Sequence, residues 1–439
     1  METSHLTEVK LTLQADLIFL PLATSFVEQS ARAFGLGEPE ALGLTLAAEE
    51  IFAYLCRAAA PGSEVQMHCT GRGYYVEQGF LFEVRNFNMR VFNLTASGPT
   101  CELAETDETG LLIASRMVDG FRFIQKDKNL HLILTKEKTY PSFFDLPVPE
   151  ARPLNEFSVR PPDSEELKMF VNLVNEHHLA QTIPMSFNFP GKVVDMVACG
   201  DFFVEIAADR AGHIGGGLIW HWDGIRLVEF YGPYLFNQPL ESGMAQSLIE
   251  SCIGAIARTH AVGMINRNPT RELPTEYFDP LGSLTFRQRG GGALDMMAYY
   301  RHLEEDPGLL VWAHPSINAF VADEYQRLVF AREIRLVRDQ GESTSPWSVI
   351  SAELDRGSSR VMLHPIWLGN DSEKVLEAYV ETLQKEEILN IFFQMDLGRP
   401  WHCHFTPALL GCGFKPRLLL PYAGKGDLVI FQHEPGESS

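Results

Sequence analysis

The feature that most constrains this chain is a pattern that occurs twice in its last two thirds. In each copy a β-like apolar run leads through a loop into an amphipathic helix. Another apolar run follows, and then a short segment that ends in Gly and an aromatic residue. The first copy runs from Leu227-Val-Glu-Phe-Tyr231 through Glu241-Ser-Gly-Met-Ala245 to Leu281-Gly-Ser-Leu-Thr-Phe286. The second runs from Val361-Met-Leu-His364 through Leu368-Gly-Asn-Asp371 to Gly411-Cys-Gly-Phe414. Where a strand feeds a helix N-terminus, free backbone N–H groups point outward and can hold a diphosphate. The pattern therefore predicts a coenzyme-handling domain of mixed strands and helices.

A chain of 439 residues leaves room for about three domains. Two stretches read as boundaries. Lys136–Pro161 carries Pro141, Pro147, Pro149, Pro153 and Pro161, and its last part reads as a linker. Arg287-Gln-Arg-Gly-Gly-Gly292 is a Gly-rich tongue, followed by Glu304-Glu-Asp-Pro-Gly308. The expected domains are 1–140, 156–304 and 305–439. The net charge of −21 argues against nucleic acid as a partner, because neutralising phosphates needs a surplus of Lys and Arg. Seven cysteines with no CxxC pair fit a reducing compartment. Met1–Lys10 lacks the apolar core of a signal peptide, and Leu17-Ile-Phe-Leu-Pro-Leu22 is far shorter than the roughly 20 residues a membrane span needs. The expectation is a cytoplasmic protein with no membrane partner.

In residues 1–140 the pattern predicts a strand at 9–13, helices over 18–34 and 39–59, and strands near 65–69 and 80–85. A helix over 110–118 and a closing hairpin complete a two-layer α+β sandwich. With Leu46-Ala-Ala-Glu-Glu-Ile-Phe-Ala-Tyr-Leu55 and Thr109-Gly-Leu-Leu-Ile-Ala-Ser-Arg-Met-Val-Asp119, this segment resembles the GHKL ATPase module of anti-sigma-factor serine kinases. In that family a helix supplies a water-activating Glu, matched here by Glu49. The Mg²⁺-binding Asn four residues on is replaced by Ala53. The Asp-x-Gly adenine site should fall at Val84-Arg-Asn-Phe-Asn-Met89, which has neither the Asp nor the Gly. The resemblance thus implies a module that no longer binds ATP and Mg²⁺ and that offers a surface to a protein partner.

Residues 156–304 are similar to the GNAT fold of acyl-CoA-dependent N-acyltransferases. The likeness is carried by Leu240-Glu-Ser-Gly-Met-Ala-Gln-Ser-Leu248, where the family reads Gln/Arg-x-x-Gly-x-Gly/Ala. Gly243 and Ala245 match. Leu240 replaces the Gln or Arg, and Glu241 adds a negative charge. The resemblance implies acetyl-CoA or another acyl-CoA as cofactor, held by Leu235, Phe236, Ser242, Gly243, Met244 and Ala245. It also implies an amine acceptor, either a small molecule or a protein. Glu229 stands where several family members place the general base, on a strand face shared with Leu227 and Tyr231, so burial is expected to raise its pKa; the alternative is a rim Glu salt-bridged to a nearby Arg. The family often has a Tyr four residues before a Gly-Phe pair as acid for the departing thiolate; Phe278 holds that spacing from Gly282, so its neighbour Tyr277 is the candidate acid and is otherwise a core residue.

In residues 305–439 a long helix is expected over Pro315–Leu336, with strands at 347–354, 360–365 and 388–394 and a helix over 372–386. Thr406-Pro-Ala-Leu-Leu-Gly-Cys-Gly-Phe-Lys-Pro416 is similar to the closing Gly-Phe segment of the same family, with Leu409 in place of its Tyr. This reads as a second, degenerate copy. Trp401-His-Cys-His404 would put two His on one face of a strand, but no further ligand cluster accompanies it, and no metal site is assigned. The fold class is therefore α+β: an N-terminal ATPase-like sandwich and two GNAT-like mixed-sheet domains. The functional expectation is an acyl-CoA-dependent N-acyltransferase, most simply an acetyltransferase, fused to an inactive ATPase-like module. The alternative is a non-catalytic regulatory protein of the anti-sigma-factor type that uses its GNAT-like pair as sensor or scaffold.

Overall fold

The computed structural model describes residues 8–60, 62–83, 92–93, 106–126, 129–142, 150–224, 226–339, 341 and 345–434. The chain divides into two compact units. One comprises Met1–Tyr140 with Ser345–Ser351 and Gly369–Asp371; the other comprises Pro141–Thr344, Ala352–Leu368 and Ser372–Ser439.

The first unit contains β1 (Glu8–Gln14), α1 (Leu20–Ala33), α2 (Glu38–Ala58), β2 (Glu64–Gly71), β3 (Tyr75–Phe82), α3 (Thr106–Met117), β4 (Gly120–Lys126) and β5 (Asn129–Glu137). Its sheet has the order β1-β2-β3-β5-β4, with every pairing antiparallel. In β2, Val65, Met67 and Cys69 are buried while Glu64 and Gln66 are exposed, the alternation of a sheet with one covered face. At Gly79 a side chain would collide with the His68 ring on the neighbouring strand, so the glycine is required by that close approach. The segment expected to carry the Asp-x-Gly site, residues 84–89, lies outside the described residues.

The second unit begins with β6 (Ser158–Arg160), α4 (Ser164–His177), α5 (Pro190–Ala198), β7 (Phe203–Ala208), β8 (Ile214–Asp223) and β9 (Leu227–Leu235). It continues with α6 (Met244–Ile256), β10 (Gly263–Asn266), β11 (Asp279–Arg287) and β12 (Ala293–His302). Helix α4 starts in a capping box: Asp163 accepts from the Glu166 N–H, and the Glu166 carboxylate accepts from the Asp163 N–H. The sheet order is β11-β12-β10-β9-β8-β7-β6. All its pairings are antiparallel except β9 with β10, which the α6 crossover makes parallel. Leu218, Trp220, Val228, Phe230 and Met264 face α6 and bury Leu248, Ile249 and Cys252 against it. Each fully buried side chain of this size contributes about 1.5–3 kcal/mol. The opposite face packs on α4 near Phe170 and Tyr234.

The remaining elements are β13 (Leu309–Ala313), α7 (Asn318–Leu328), β14 (Arg332–Leu336), β15 (Val349–Asp355), β16 (Arg360–Trp367) and α8 (Ser372–Lys385). They are followed by β17 (Asn390–Asp396), α9 (Pro400–Cys403), α10 (Thr406–Gly411), β18 (Phe414–Leu420) and β19 (Leu428–His433). Strands β13 and β14 form a parallel pair, and the last sheet has the order β15-β16-β17-β19-β18. The order β8-β9-β10-β12-β11 is the same one shifted along the chain. In both sheets the strand before the helix runs parallel to the strand after it, and the last two strands pair antiparallel.

The long helix expected over Pro315–Leu336 is interrupted. Helix α7 stops at Leu328, Val329 adopts φ 58°, and Arg332–Leu336 pairs with β13 as a strand. Its last apolar positions obey a two-residue period as well as a helical one, and strand pairing won. Residues 400–403 form a short helix rather than a strand. His402 is buried, and its Nδ1 accepts the Asp396 N–H at 3.2 Å. The edge strand β11 is capped within the unit by side-chain amides. Gln432 bonds both the N–H and the C=O of Thr285 (3.1 and 2.5 Å), and Asn390 does the same for Arg287 (2.7 and 3.0 Å). Two amide side chains thereby replace the neighbouring strand that an edge would otherwise recruit. No helix among the described residues is long and apolar enough to cross a membrane.

Candidate active site

Strand β9 carries two features at its two ends. At its C-terminal end the chain passes through a short turn, Leu240–Ser242, to Gly243. Gly243 has φ 71° and ψ 3°, the left-handed conformation, and caps α6. A side chain built there would meet no atom within 4 Å, so the outer side of this turn is open. The first N–H groups of a helix have no intrahelical acceptor, and here only the Met244 N–H is approached, by Ser242 Oγ at 3.4 Å. Met244 and Ala245 point inward; the Met244 side chain packs on Gly215 and Gly216, where any larger residue would collide with it. Leu235 and Phe236 are buried, and the Phe236 N–H is bound by the Gly215 carbonyl. The six residues expected to hold a coenzyme thus form one continuous strand-to-helix corner. Main-chain donors fit a diphosphate there; the exposed Glu241 and the lack of a basic residue in the first turn of α6 work against it.

Opposite the parallel strand β10, β9 bulges. Its register against β8 shifts between Gly217 and Ile219, at Gly232 with φ 90°. Beyond Glu229 the β10 backbone no longer pairs with β9. Side chains bridge the opening: Asn266 Nδ2 donates to the Gly232 carbonyl (2.9 Å) and Thr270 Oγ1 to the Pro233 carbonyl (2.7 Å).

On the face of β9 turned away from α6, Glu229 is buried, its side chain 1 % exposed. Arg267, just after β10, grips it with two donors: Nε reaches Oε1 at 2.6 Å and Nη2 reaches Oε2. Nη2 also meets Asp223 Oδ2 at 3.2 Å. His221, across the ladder from Glu229, places Nε2 3.3 Å from Oε2 and Nδ1 3.2 Å from the Trp222 carbonyl. An arginine, a histidine and two carboxylates therefore form one cluster.

Burial pushes the Glu229 carboxyl up, but the Arg267 charge and hydrogen bonds, with His221, outweigh it and hold the value far below the usual carboxylate range. That is the reverse of the rise expected for a general base and agrees with the alternative of a Glu paired with an Arg, here Arg267, although the residue is buried rather than at a rim. His221 is lowered by burial but raised on balance by its bond to Glu229. Asp223 is raised, burial outweighing Arg267.

This cluster opens on a cavity of about 370 Å³. One wall is Asp223, Glu229, Tyr231, Arg267, Leu284 and Phe286, from β8–β11 and the loop after β10; the other is Glu353, Arg360, Met362, His364, Phe392 and Gln394, from β15–β17. Tyr277 is elsewhere. It packs against the core on the α6 side, with the Arg301 guanidinium 5.8 Å from its ring centre. The structure therefore brings Glu229 to a cavity and leaves Tyr277 on the opposite face of the sheet. No group of three or more potential metal ligands occurs among the described residues.

No family model and no curated protein sequence matches this chain. Solved structures of GNAT acetyltransferases match 34 % of it. One is a phosphinothricin acetyltransferase from Sinorhizobium meliloti in complex with AcCoA, with 18 % identity, a TM-score of 0.27 and 89 % of that chain covered. Others are aminoglycoside 6'-acetyltransferase type Ii (14 %, 0.26, 99 % covered) and an aminoglycoside 6'-N-acetyltransferase complexed with coenzyme A (12 %, 0.26, 99 % covered). At such scores the likeness carries no weight for activity, which must rest on the geometry of the site.

Proposed function

We propose that residues 156–304 form an acyl-CoA-dependent N-acyltransferase, most simply an acetyltransferase. Residues 305–439 are a second, degenerate GNAT-like domain that walls its acceptor cleft. The observation that supports this best is the corner at Gly243: strand, left-handed glycine and a 13-residue helix, open on its outer side and provided with free amides. The amides at Gly243–Gln246 would hold the diphosphate, with Leu235, Phe236 and Ser242 beside it. Acyl-CoA, when bound, supplies an acyl group already activated as a thioester.

The chain's own residues handle the amine. One amine proton must leave the nitrogen, and the acceptor must be a carboxylate or imidazole on the cleft. Glu229 suits this poorly, since Arg267 and His221 already engage its oxygens and keep it ionised. Its role in the proposal is to hold Arg267 and His221 in place. Asp223 has the properties sought in Glu229, a cavity position and a raised pKa, and we assign it the proton. A thiolate departs unaided near neutrality because thiols ionise at about 8.5, so Tyr277 need not act as an acid.

Residues 1–140 would then be the inactive ATPase-like module, a reading supported by its α+β sandwich and by Ala53 in place of Asn. The test is a melting-temperature series with acetyl-CoA, CoA and ATP–Mg²⁺. Acetyl-CoA at 100 times its Kd should contribute about 2.7 kcal/mol, a shift of about 5 °C. The shift should vanish in Gly243→Asp, which adds a carboxylate at the diphosphate. No shift with either thioester or free CoA would remove the transferase proposal.

A further inference from the structure

The walls of the 370 Å³ cavity differ in how their charges are used. On the β8–β10 side Arg267 is bound to both Glu229 and Asp223, and His221 lies against Glu229, so the charges of this wall already have partners within it. On the β15–β16 side the charges are spent less fully. The Glu353 side chain is 76 % exposed, and His364 Nε2 lies 3.6 Å from it, beyond hydrogen-bond reach. That nitrogen is buried and has no hydrogen-bond partner. Arg360 is held only by Asp355, at 3.4 Å. Between these groups lie the apolar surfaces of Leu284, Phe286 and Phe392.

A ligand that fits this wall must match one carboxylate and one guanidinium at once. A simple amine would satisfy Glu353 and leave Arg360 with only its long contact to Asp355, and a simple acid would engage Arg360 and leave Glu353 with only its long contact to His364. A zwitterion satisfies both through charge-assisted hydrogen bonds. We propose that the cleft binds a small zwitterion, an α-amino acid with an apolar side chain: Glu353 takes its ammonium, Arg360 its carboxylate, and Leu284, Phe286 and Phe392 its side chain. This assignment rests on the transferase reading and names its acceptor class.

Binding can be measured on the full chain without any coenzyme. The probes are L-phenylalanine, phenethylamine, which lacks the carboxylate, and 3-phenylpropionate, which lacks the amine. Calorimetric titration should show L-phenylalanine at least tenfold tighter than either analogue. Glu353→Gln should erase its advantage over 3-phenylpropionate, and Arg360→Met its advantage over phenethylamine. Glu353 is exposed, so its substitution tests the site without endangering the fold.

Equal affinity for L-phenylalanine and phenethylamine would overturn the role of Arg360. Failure of all three probes to bind, with the acetyl-CoA shift intact, would overturn the amino-acid assignment and leave the transferase standing. Loss of the acetyl-CoA shift with selective L-phenylalanine binding would do the opposite.

Discussion

The two strand-to-helix corners started from the same pattern and ended in different states. At the first, Gly243 precedes α6 directly, its outer side is open and the helix amides are free. At the second, the loop before α8 is filled by its own chain. Ser345 bridges to Gly369, the Asn370 N–H bonds the Ser345 carbonyl at 2.9 Å, and Ser348 Oγ both accepts from the Gly369 N–H and donates to its carbonyl (2.9 and 3.2 Å). Asp371 accepts the Ser348 N–H, and Asn93 pins the same segment through the Ser348 carbonyl and the Ile350 N–H, both at 2.9 Å. Amides that already have partners cannot bind a diphosphate, and Asp371 would repel one. An equal pattern in sequence thus permits one open corner and one filled corner, and the difference lies in what the rest of the chain lays against each loop.

The halves differ in their buried arginines as well, and breaking these should give the largest effects. Arg332 is fully enclosed, bound to Asp427 (2.6 Å) and Asp306 (2.9 Å) and ringed by Tyr325, Phe330 and Tyr422. Arg332→Met leaves two carboxylates buried without their cation and should cost about 3–5 kcal/mol in urea unfolding. Arg267→Met should cost somewhat less, since its side chain is 23 % exposed. Unlike Arg332→Met, it should also abolish N-acyl transfer under conditions where the variant is fully folded. Equal transfer by both variants would show that the Glu229 cluster is as purely structural as the Arg332 cluster.

The glycines come next. A Cβ on Gly369 would collide with the Trp347 main-chain carbonyl, which cannot swing aside. Gly369→Ala should therefore cost about 1–3 kcal/mol, the range of overpacked sites. Gly243→Ala meets nothing and carries only the left-handed strain, about 1–2 kcal/mol at most. If chemical unfolding ranks the two the other way, the second loop is not held closed as drawn.

Much of the architecture was legible because it is written in periods and punctuation. Strands β9 and β16 and helices α6 and α8 came from apolar runs that lead through a loop into an amphipathic helix. The repeat in sequence is also the shared strand order of the two sheets. Helix α5 and strands β12 and β13 were not read. Strand β12 follows the Gly-rich tongue, and its burial alternates with Met297 and Asp295 outward, too polar for an apolar run. Gly243 was readable because its role is local. The cluster around Glu229 was not, because Arg267 lies 38 residues away in sequence and His221 is reached only through the β8–β9 ladder. The one available signal was Arg267 at the end of an otherwise apolar strand, Ala261–Asn266, a place where a charge needs a partner.

The smallest expected effect concerns the pH dependence of that cluster, and its sign follows from the directions of the shifts. His221 is raised above its ordinary value near 6.5 by Glu229, against the pull of burial. It therefore contributes stability that is fully present below about 6.5 and is lost as pH rises through the folded value. Glu229 is depressed below its ordinary 4.5, so its contribution is present above about 4.5 and lost as pH falls. Asp223 is raised and opposes Glu229 on that acid side. The acid limb is thus a mixture, and His68, His131, His178, His314, His402 and His433, all lowered chiefly by burial, also act there. The alkaline limb is cleaner. Of the described histidines whose pKa departs from the ordinary value, His221 alone is raised, and burial pushes the thiols of Cys56 and Cys412 up to about 11 and those of Cys69 and Cys403 up to about 12. The native chain should therefore be more stable than His221→Gln by an amount that is largest near pH 6 and shrinks as the pH rises to 9, a difference from which the other histidines cancel. A difference that stays constant over this range would mean that His221 does not carry its proton against Glu229.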